Sequence, residues 1–229
     1  MVFSETDLVW QDFTSFAINT ENFNVFKLDI EKHFREIQNI FVNVLSEFEI
    51  LKASKFNKEI DRKRYIVSKY FLRILLSKFL STEPDELKFG QTANKKPSIN
   101  GIEFNVTHSR DYVIIAVSQA SVGIDLEFIN PSFDFKPLLA NCFHPEEISY
   151  MDERGNTIRD FYTLWTRKES LLKATGEGLI DELDQLNCTN YSIERLNKTY
   201  TLNSYVFENN YILSIANSVD LSPALFWNY

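Results

Sequence analysis

Helix-type and strand-type periodicities are grouped along this chain rather than alternating, and that grouping limits the fold more than any other feature. From Asp29 to Phe48, apolar residues at Ile30, Phe34, Ile37, Phe41, Val44, Leu45 and Phe48 fit one face of a helix. A second helix is expected from Asp61 to Leu80, with Ile66, Tyr70, Ile74 and Leu75 along a stripe and basic residues opposite. After Pro84 come three β-type runs, Phe104 to Thr107, Tyr112 to Ser118 and Val122 to Glu127, read as an antiparallel meander. The second half offers helices at Pro145 to Asp152 and Ile158 to Ala174, the latter ending at Gly176. Strands follow near Tyr191 to Arg195, Tyr200 to Val206 and Tyr211 to Ser214. A doubly wound parallel sheet needs strict alternation, so the fold class is α+β.

The 6 Gly and 6 Pro are dispersed, so any boundary between halves is tight. With 24 basic and 32 acidic side chains the net charge is −8, which argues against nucleic-acid binding through bulk charge. Cys142 and Cys188 form no metal or disulfide pattern, and the start MVFSETDLVW lacks the features of a leader, so a cytoplasmic protein is expected. The apolar stretch Tyr65 to Leu80 carries Lys69, Arg73 and Lys78 and does not suit a bilayer.

Three segments could carry chemistry. In Val122-Gly-Ile-Asp-Leu-Glu127 the strand period of two puts Asp125 and Glu127 on one face and Ile124 and Leu126 on the other. Two adjacent carboxylates suit a hard metal such as Mg²⁺, and equally describe solvated acids on an exposed sheet. In Trp165-Thr-Arg-Lys-Glu-Ser-Leu-Leu-Lys173, helical spacing aligns Trp165, Glu169 and Lys173, which also fits a surface Glu–Lys pair beside a core Trp. Phe104-Asn-Val-Thr-His-Ser109 places His108 between two hydroxyls at a strand end, where it could donate to a phosphate. His33 and His144 lack partners at metal-ligand spacing. The basic run Lys52, Lys55, Lys58, Arg62, Lys63 and Arg64 reads as a solvated flank or as fixed charge for an anion.

Taken in order, Thr107-His108-Ser109, Gly123-Ile-Asp-Leu-Glu127 and Trp165-x-x-Lys-Glu-Ser-x-x-Lys173-x-x-Gly-x-Gly-Leu179 resemble the 4′-phosphopantetheinyl transferases of the surfactin-synthetase-activating (Sfp) type. The Lys95-Lys96-Pro97 turn and the Asp61-Arg-Lys-Arg64 helix start match as well, and the resemblance runs from about Leu45 to Leu186. It implies a monomer of two similar halves, 1–119 with the nucleotide contacts and 120–229 with the metal site and catalytic helix, meeting near Gln119 to Val122. Each half is a long helix on a small antiparallel sheet, with coenzyme A in the cleft between them. The implied reaction moves the phosphopantetheine arm of coenzyme A to a serine of an apo acyl, peptidyl or aryl carrier protein, releasing adenosine 3′,5′-bisphosphate.

The resemblance also implies roles. Asp125, Glu127 and Glu169 would hold Mg²⁺, and Glu169 would accept the serine proton, directly or through water. Lys173 would neutralise phosphate, and His108 with Thr107 would bond the pyrophosphate. Lys52, Lys55, Arg64 and Lys96 would meet the 3′-phosphate and adenine end, while Trp165 packs. The segment Phe128 to Arg159, with Phe133, Phe135, Leu138, Leu139 and Phe143, is either a carrier-docking surface or core of the second half. The rival functions are a Mg²⁺-dependent phosphatase or nuclease and a non-catalytic coenzyme A binding module.

Overall fold

The computed structural model describes residues 5–14, 23–92, 94, 96–178, 180–218 and 224–229; Lys95 and Leu179 of the motifs above lie outside them. In chain order the elements are β1 (Glu5–Asp7), β2 (Gln11–Asp12), β3 (Asn24–Asp29), α1 (Ile30–Ile37), α2 (Glu47–Ser54), α3 (Glu59–Leu80), β4 (Gly90–Gln91), β5 (Pro97–Ser98), β6 (Glu103–Ser109), β7 (Tyr112–Ser118) and β8 (Val122–Phe128). The second part holds α4 (Leu139–Cys142), α5 (Pro145–Glu153), α6 (Ile158–Thr175), β9 (Ser192–Arg195), β10 (Lys198–Phe207), β11 (Tyr211–Asn217) and β12 (Leu225–Asn228).

Among the described residues two five-stranded sheets form, besides the short β4-β5 pair. One runs β2-β12-β3-β7-β6; the other runs β1-β10-β11-β8 with β9 also on β10. The chain passes between them in the three residues from Ser118 to Val122. The expected three-stranded meander is therefore corrected: β6 and β7 pair antiparallel, but β8 pairs with β11 in the other sheet. The chain ends also cross over, β1 joining β10 and β12 joining β2 and β3.

Layering follows from the period of two. On β7, Val113, Ile115 and Val117 enter the core under α3, while Ile114 and Ala116 enter the core between the sheets. A strand buried on both faces reads as a continuous apolar run, which is what Tyr112 to Ser118 shows. On the far side, Leu171, Leu172 and Ala174 of α6 pack over Leu202 and Ala216. The order of layers is helix, sheet, sheet, helix.

The helix expected over Asp29 to Phe48 is broken. α1 ends at Ile37, and Ser46 starts α2 through a capping box in which its hydroxyl accepts from Glu49 N–H and Glu49 accepts from Ser46 N–H. Phe48 is consequently 72% exposed. The basic residues of α3 are not all opposite its apolar stripe either: Arg73 is buried, donating to Glu49 at 2.8 Å and to the carbonyls of Pro84 and Leu87.

Of the apolar residues proposed between β8 and α6, Phe135 and Phe143 are buried with Met151, Phe161 and Leu164, and Leu138 and Leu139 pack against them. These form core, and Phe133, 39% exposed, is the member that reaches the surface.

Candidate active site

α6 sits unusually close to β8 because small residues meet there. A Cβ on Gly123 would lie 2.0 Å from the Ser170 carbonyl oxygen and 2.3 Å from the Ala174 nitrogen. Only glycine permits this approach, and it brings the Glu169–Lys173 face of α6 over Asp125 and Glu127. The helix then stops where Gly176 takes φ 75° and donates to the Leu172 carbonyl at 2.9 Å. Trp165 packs on Phe161 and Phe143, in keeping with a structural role.

Asp125 is 5% exposed, so the pair is not a pair of solvated acids. Its Oδ1 accepts from Lys173 Nζ at 2.6 Å and from Thr107 Oγ1 at 3.3 Å, while its buried Oδ2 has no hydrogen-bond partner among the described residues. Lys173 thus pairs with Asp125 rather than forming a surface pair with Glu169. Ser109 donates to Glu127 at 3.2 Å. Burial pushes the Asp125 carboxyl up against the pull of Lys173. Burial and then the Asp125 charge push Glu127 up to about 7, and the same two causes raise Glu169. Three carboxyls that resist joint ionisation, one with an orphaned buried oxygen, have the hard donor chemistry of a divalent-cation site. Among the described residues no group of three such side chains stands ready around one ion position, and Asp125 Oδ1 is engaged by Lys173.

Beside this cluster lies a cavity of about 310 Å³, lined by Asp61, Arg64, Tyr65, Ser68 and Lys69 of α3, by Lys96 and Pro97, and by Asn105 and His108 of β6. Arg64 donates to Asp61 at 2.6 Å, and Lys96 donates to the Val122 carbonyl at 3.3 Å. Desolvation lowers the pKa of Lys96, with Glu103 opposing. His108 stands on the rim, its pKa lowered by partial desolvation and then by Arg64. The structure therefore unites Arg64, Lys96 and His108 at one cavity. It does not bring Lys52 or Lys55 into the described lining: Lys52 lies over the Tyr65 ring at 5.4 Å, and Lys55 is an exposed residue at the end of α2. Thr107 is buried with its hydroxyl on Asp125.

The sequence reading does not single out Tyr65, Ser68 or Lys69 as cavity residues, though Asp61, Tyr65, Ser68 and Leu72 recur at helical spacing. It also passes over Lys168, buried and ion-paired to Glu147 at 2.7 Å, with the carbonyls of Leu183 and Leu186 as further acceptors.

Two family models match consecutive stretches of the chain. Residues 34–120 fit the description "4′-phosphopantetheinyl transferase, N-terminal", and residues 121–216 fit the "4′-phosphopantetheinyl transferase superfamily". The 4′-phosphopantetheinyl transferase HetI of Nostoc sp. is 26% identical over 224 residues, covering 92% of this chain and 93% of HetI. The 4′-phosphopantetheinyl transferase gsp of Aneurinibacillus migulanus is 31% identical over 122 residues, 52% of this chain and 51% of gsp. The 4′-phosphopantetheinyl transferase Sfp of Bacillus subtilis is 26% identical over 151 residues, 64% of this chain and 67% of Sfp. Coverage is partial for others too, the match spanning 61% of the slr0495 protein of Synechocystis sp.. On sequence, layering and the joined carboxylate cluster and cationic cavity, this chain belongs to the 4′-phosphopantetheinyl transferase superfamily.

Proposed function

We propose that this enzyme transfers the 4′-phosphopantetheine arm of coenzyme A to a serine of an apo carrier protein domain. The observation that carries the reading is the carboxylate cluster of β8 and α6, with its partnerless Asp125 Oδ2, set beside a cavity walled by Arg64, Lys96 and His108. The serine oxygen attacks the phosphorus that bears the pantetheine. The bond from that phosphorus to the oxygen bridging the two phosphates breaks, and adenosine 3′,5′-bisphosphate leaves.

Glu169, half-buried and raised in pKa, accepts the serine proton. Asp125, Glu127 and Glu169 would hold Mg²⁺, which when bound supplies positive charge to the pyrophosphate. Lys173 is long enough to exchange Asp125 for a phosphate oxygen as negative charge grows there. His108, Arg64 and Lys96 orient the pyrophosphate and nucleotide, with Lys69 adding charge in the same cavity. Lys52 and Lys55, outside that lining, are left the 3′-phosphate at most. In this reading residues 1–119 bind the nucleotide and 120–229 hold the metal and the proton acceptor. Phe133 is the apolar point of carrier contact, and the protein acts as a monomer.

The test incubates the protein with coenzyme A, Mg²⁺ and an apo carrier and weighs the carrier. Gain of the phosphopantetheine mass is expected. Hydrolysis of coenzyme A without that gain would favour a phosphatase, and binding without either would favour a binding module.

A further inference from the structure

β6 and β8 lie edge to edge but in different sheets, and side chains bridge them in place of a backbone ladder. Asn105 Oδ1 accepts from Ile124 N–H at 3.1 Å, Thr107 Oγ1 from Leu126 N–H at 3.2 Å, and Ser109 Oγ from Phe128 N–H at 3.0 Å. Two of these groups make a second bond. Thr107 donates its hydroxyl proton to Asp125 Oδ1, and Ser109 donates its own to Glu127 Oε2.

The same arrangement thus occurs twice at the strand period: a hydroxyl accepts from the N–H that follows an acid and donates to that acid. A hydroxyl has one proton to give. With that proton on a carboxylate and the side chain facing β8, Thr107 has nothing left to donate to a phosphate oxygen, and it is buried besides. We propose that Thr107 and Ser109 are positioning residues that fix the Asp125 and Glu127 carboxylates for the divalent cation, and that Thr107 is not a contact of coenzyme A. This rests on the metal-site reading above. Asn105, at the far end of the ladder, braces Ile124 and faces no acid in this way.

The test uses the full-length protein with Thr107→Val, Thr107→Ser, Ser109→Ala and Asp125→Asn. Three quantities are measured: Mn²⁺ affinity with coenzyme A present, by electron paramagnetic resonance; coenzyme A affinity in EDTA, by calorimetry; and melting temperature. Partners that orient metal ligands typically contribute ten- to a hundredfold in metal affinity. Thr107→Val and Ser109→Ala are therefore expected to weaken Mn²⁺ about tenfold or more, with coenzyme A affinity in EDTA within twofold, and Thr107→Ser should keep both. A Thr107→Val protein that loses coenzyme A affinity in EDTA but keeps Mn²⁺ would overturn the proposal. So would unchanged Mn²⁺ affinity in folded Ser109→Ala, which decides the matter if Thr107→Val does not fold. Asp125→Asn binding Mn²⁺ like the parent would instead overturn the metal-site reading, and the proposal with it.

Discussion

Replacing Lys173 with Ala tests the electrostatics of the site most directly. Its ammonium lies 2.6 Å from Asp125 Oδ1, and the two side chains are 31% and 7% exposed. At an effective dielectric of about 20 the gross attraction is about 6 kcal/mol, but both groups lose hydration on forming the pair. Removing one member of a wholly buried pair costs about 3–5 kcal/mol; with Lys173 a third exposed, about 2 kcal/mol is expected. For a chain of this size that is a fall in melting temperature of about 4–8 °C in EDTA. Two further outcomes separate this account from loss of packing. Adding Asp125→Asn to Lys173→Ala should recover most of the loss, because the stranded charge goes with it. Mg²⁺ with coenzyme A should raise the melting temperature of Lys173→Ala more than that of the parent, since a second cation then meets Asp125. Single-turnover transfer should slow by about 10²–10³ while coenzyme A affinity changes little. Equal melting of parent and variant in EDTA, or no recovery in the double variant, would refute the reasoning.

Glu169→Gln should lower the transfer rate by about 10²–10⁴ with an unchanged melting temperature; a rate within tenfold of the parent would move the proton acceptor elsewhere. Glu127, pushed up to about 7, binds a proton in competition with metal. Mn²⁺ affinity should therefore fall as pH drops below about 7, by about tenfold per unit for each proton the metal displaces, and Glu127→Gln should make that profile shallower at lower affinity. Gly123→Ala drives a methyl into the α6 backbone and should cost about 1–3 kcal/mol in urea unfolding or, if α6 yields instead, abolish transfer at near-parent stability. Phe133→Asp should raise the Michaelis constant for the carrier alone; an equal rise for coenzyme A, or a lower melting temperature, would assign Phe133 to the core of its neighbours Phe161 and Tyr162.

The parts of the site that were legible in the sequence are those whose chemistry and geometry lie in one short run. Asp125 and Glu127 share a face because they are two apart on a strand, and Glu169 and Lys173 because they are four apart on a helix. What resisted reading depends on distant partners. Arg73 is buried because Glu49 and the carbonyls of Pro84 and Leu87 satisfy it. Arg167 is buried on the carbonyls of Cys188, Asn190 and Leu202. A polar–apolar pattern places such cations outside, since nothing in a loop's composition marks its carbonyls as their acceptors. The crossing of β1 and β12 between sheets was hidden for a related reason: two short runs of three and four residues carry too little periodicity to say which edge they will extend.

The passage of β8 out of the first sheet has a consequence for where chemistry can occur. Backbone-paired strands sit about 4.8 Å apart and spend their edge donors on each other. At the junction of β6 with β8 the donors of Ile124, Leu126 and Phe128 go to side chains instead, so the strands are held a side chain's reach apart. The N–H groups of Ile124, Leu126 and Phe128 in that wider seam each keep an acceptor, which a simple break in a sheet would not achieve. His108 then faces the α3 cavity from β6, while Asp125 and Glu127 meet α6 from β8, so the cavity and the carboxylate cluster lie on neighbouring strands of the two sheets. Converting Thr107 and Ser109 to residues without a hydroxyl therefore loosens the carboxylates and the seam together. For that reason metal affinity, rather than stability alone, is the quantity that tells the two effects apart.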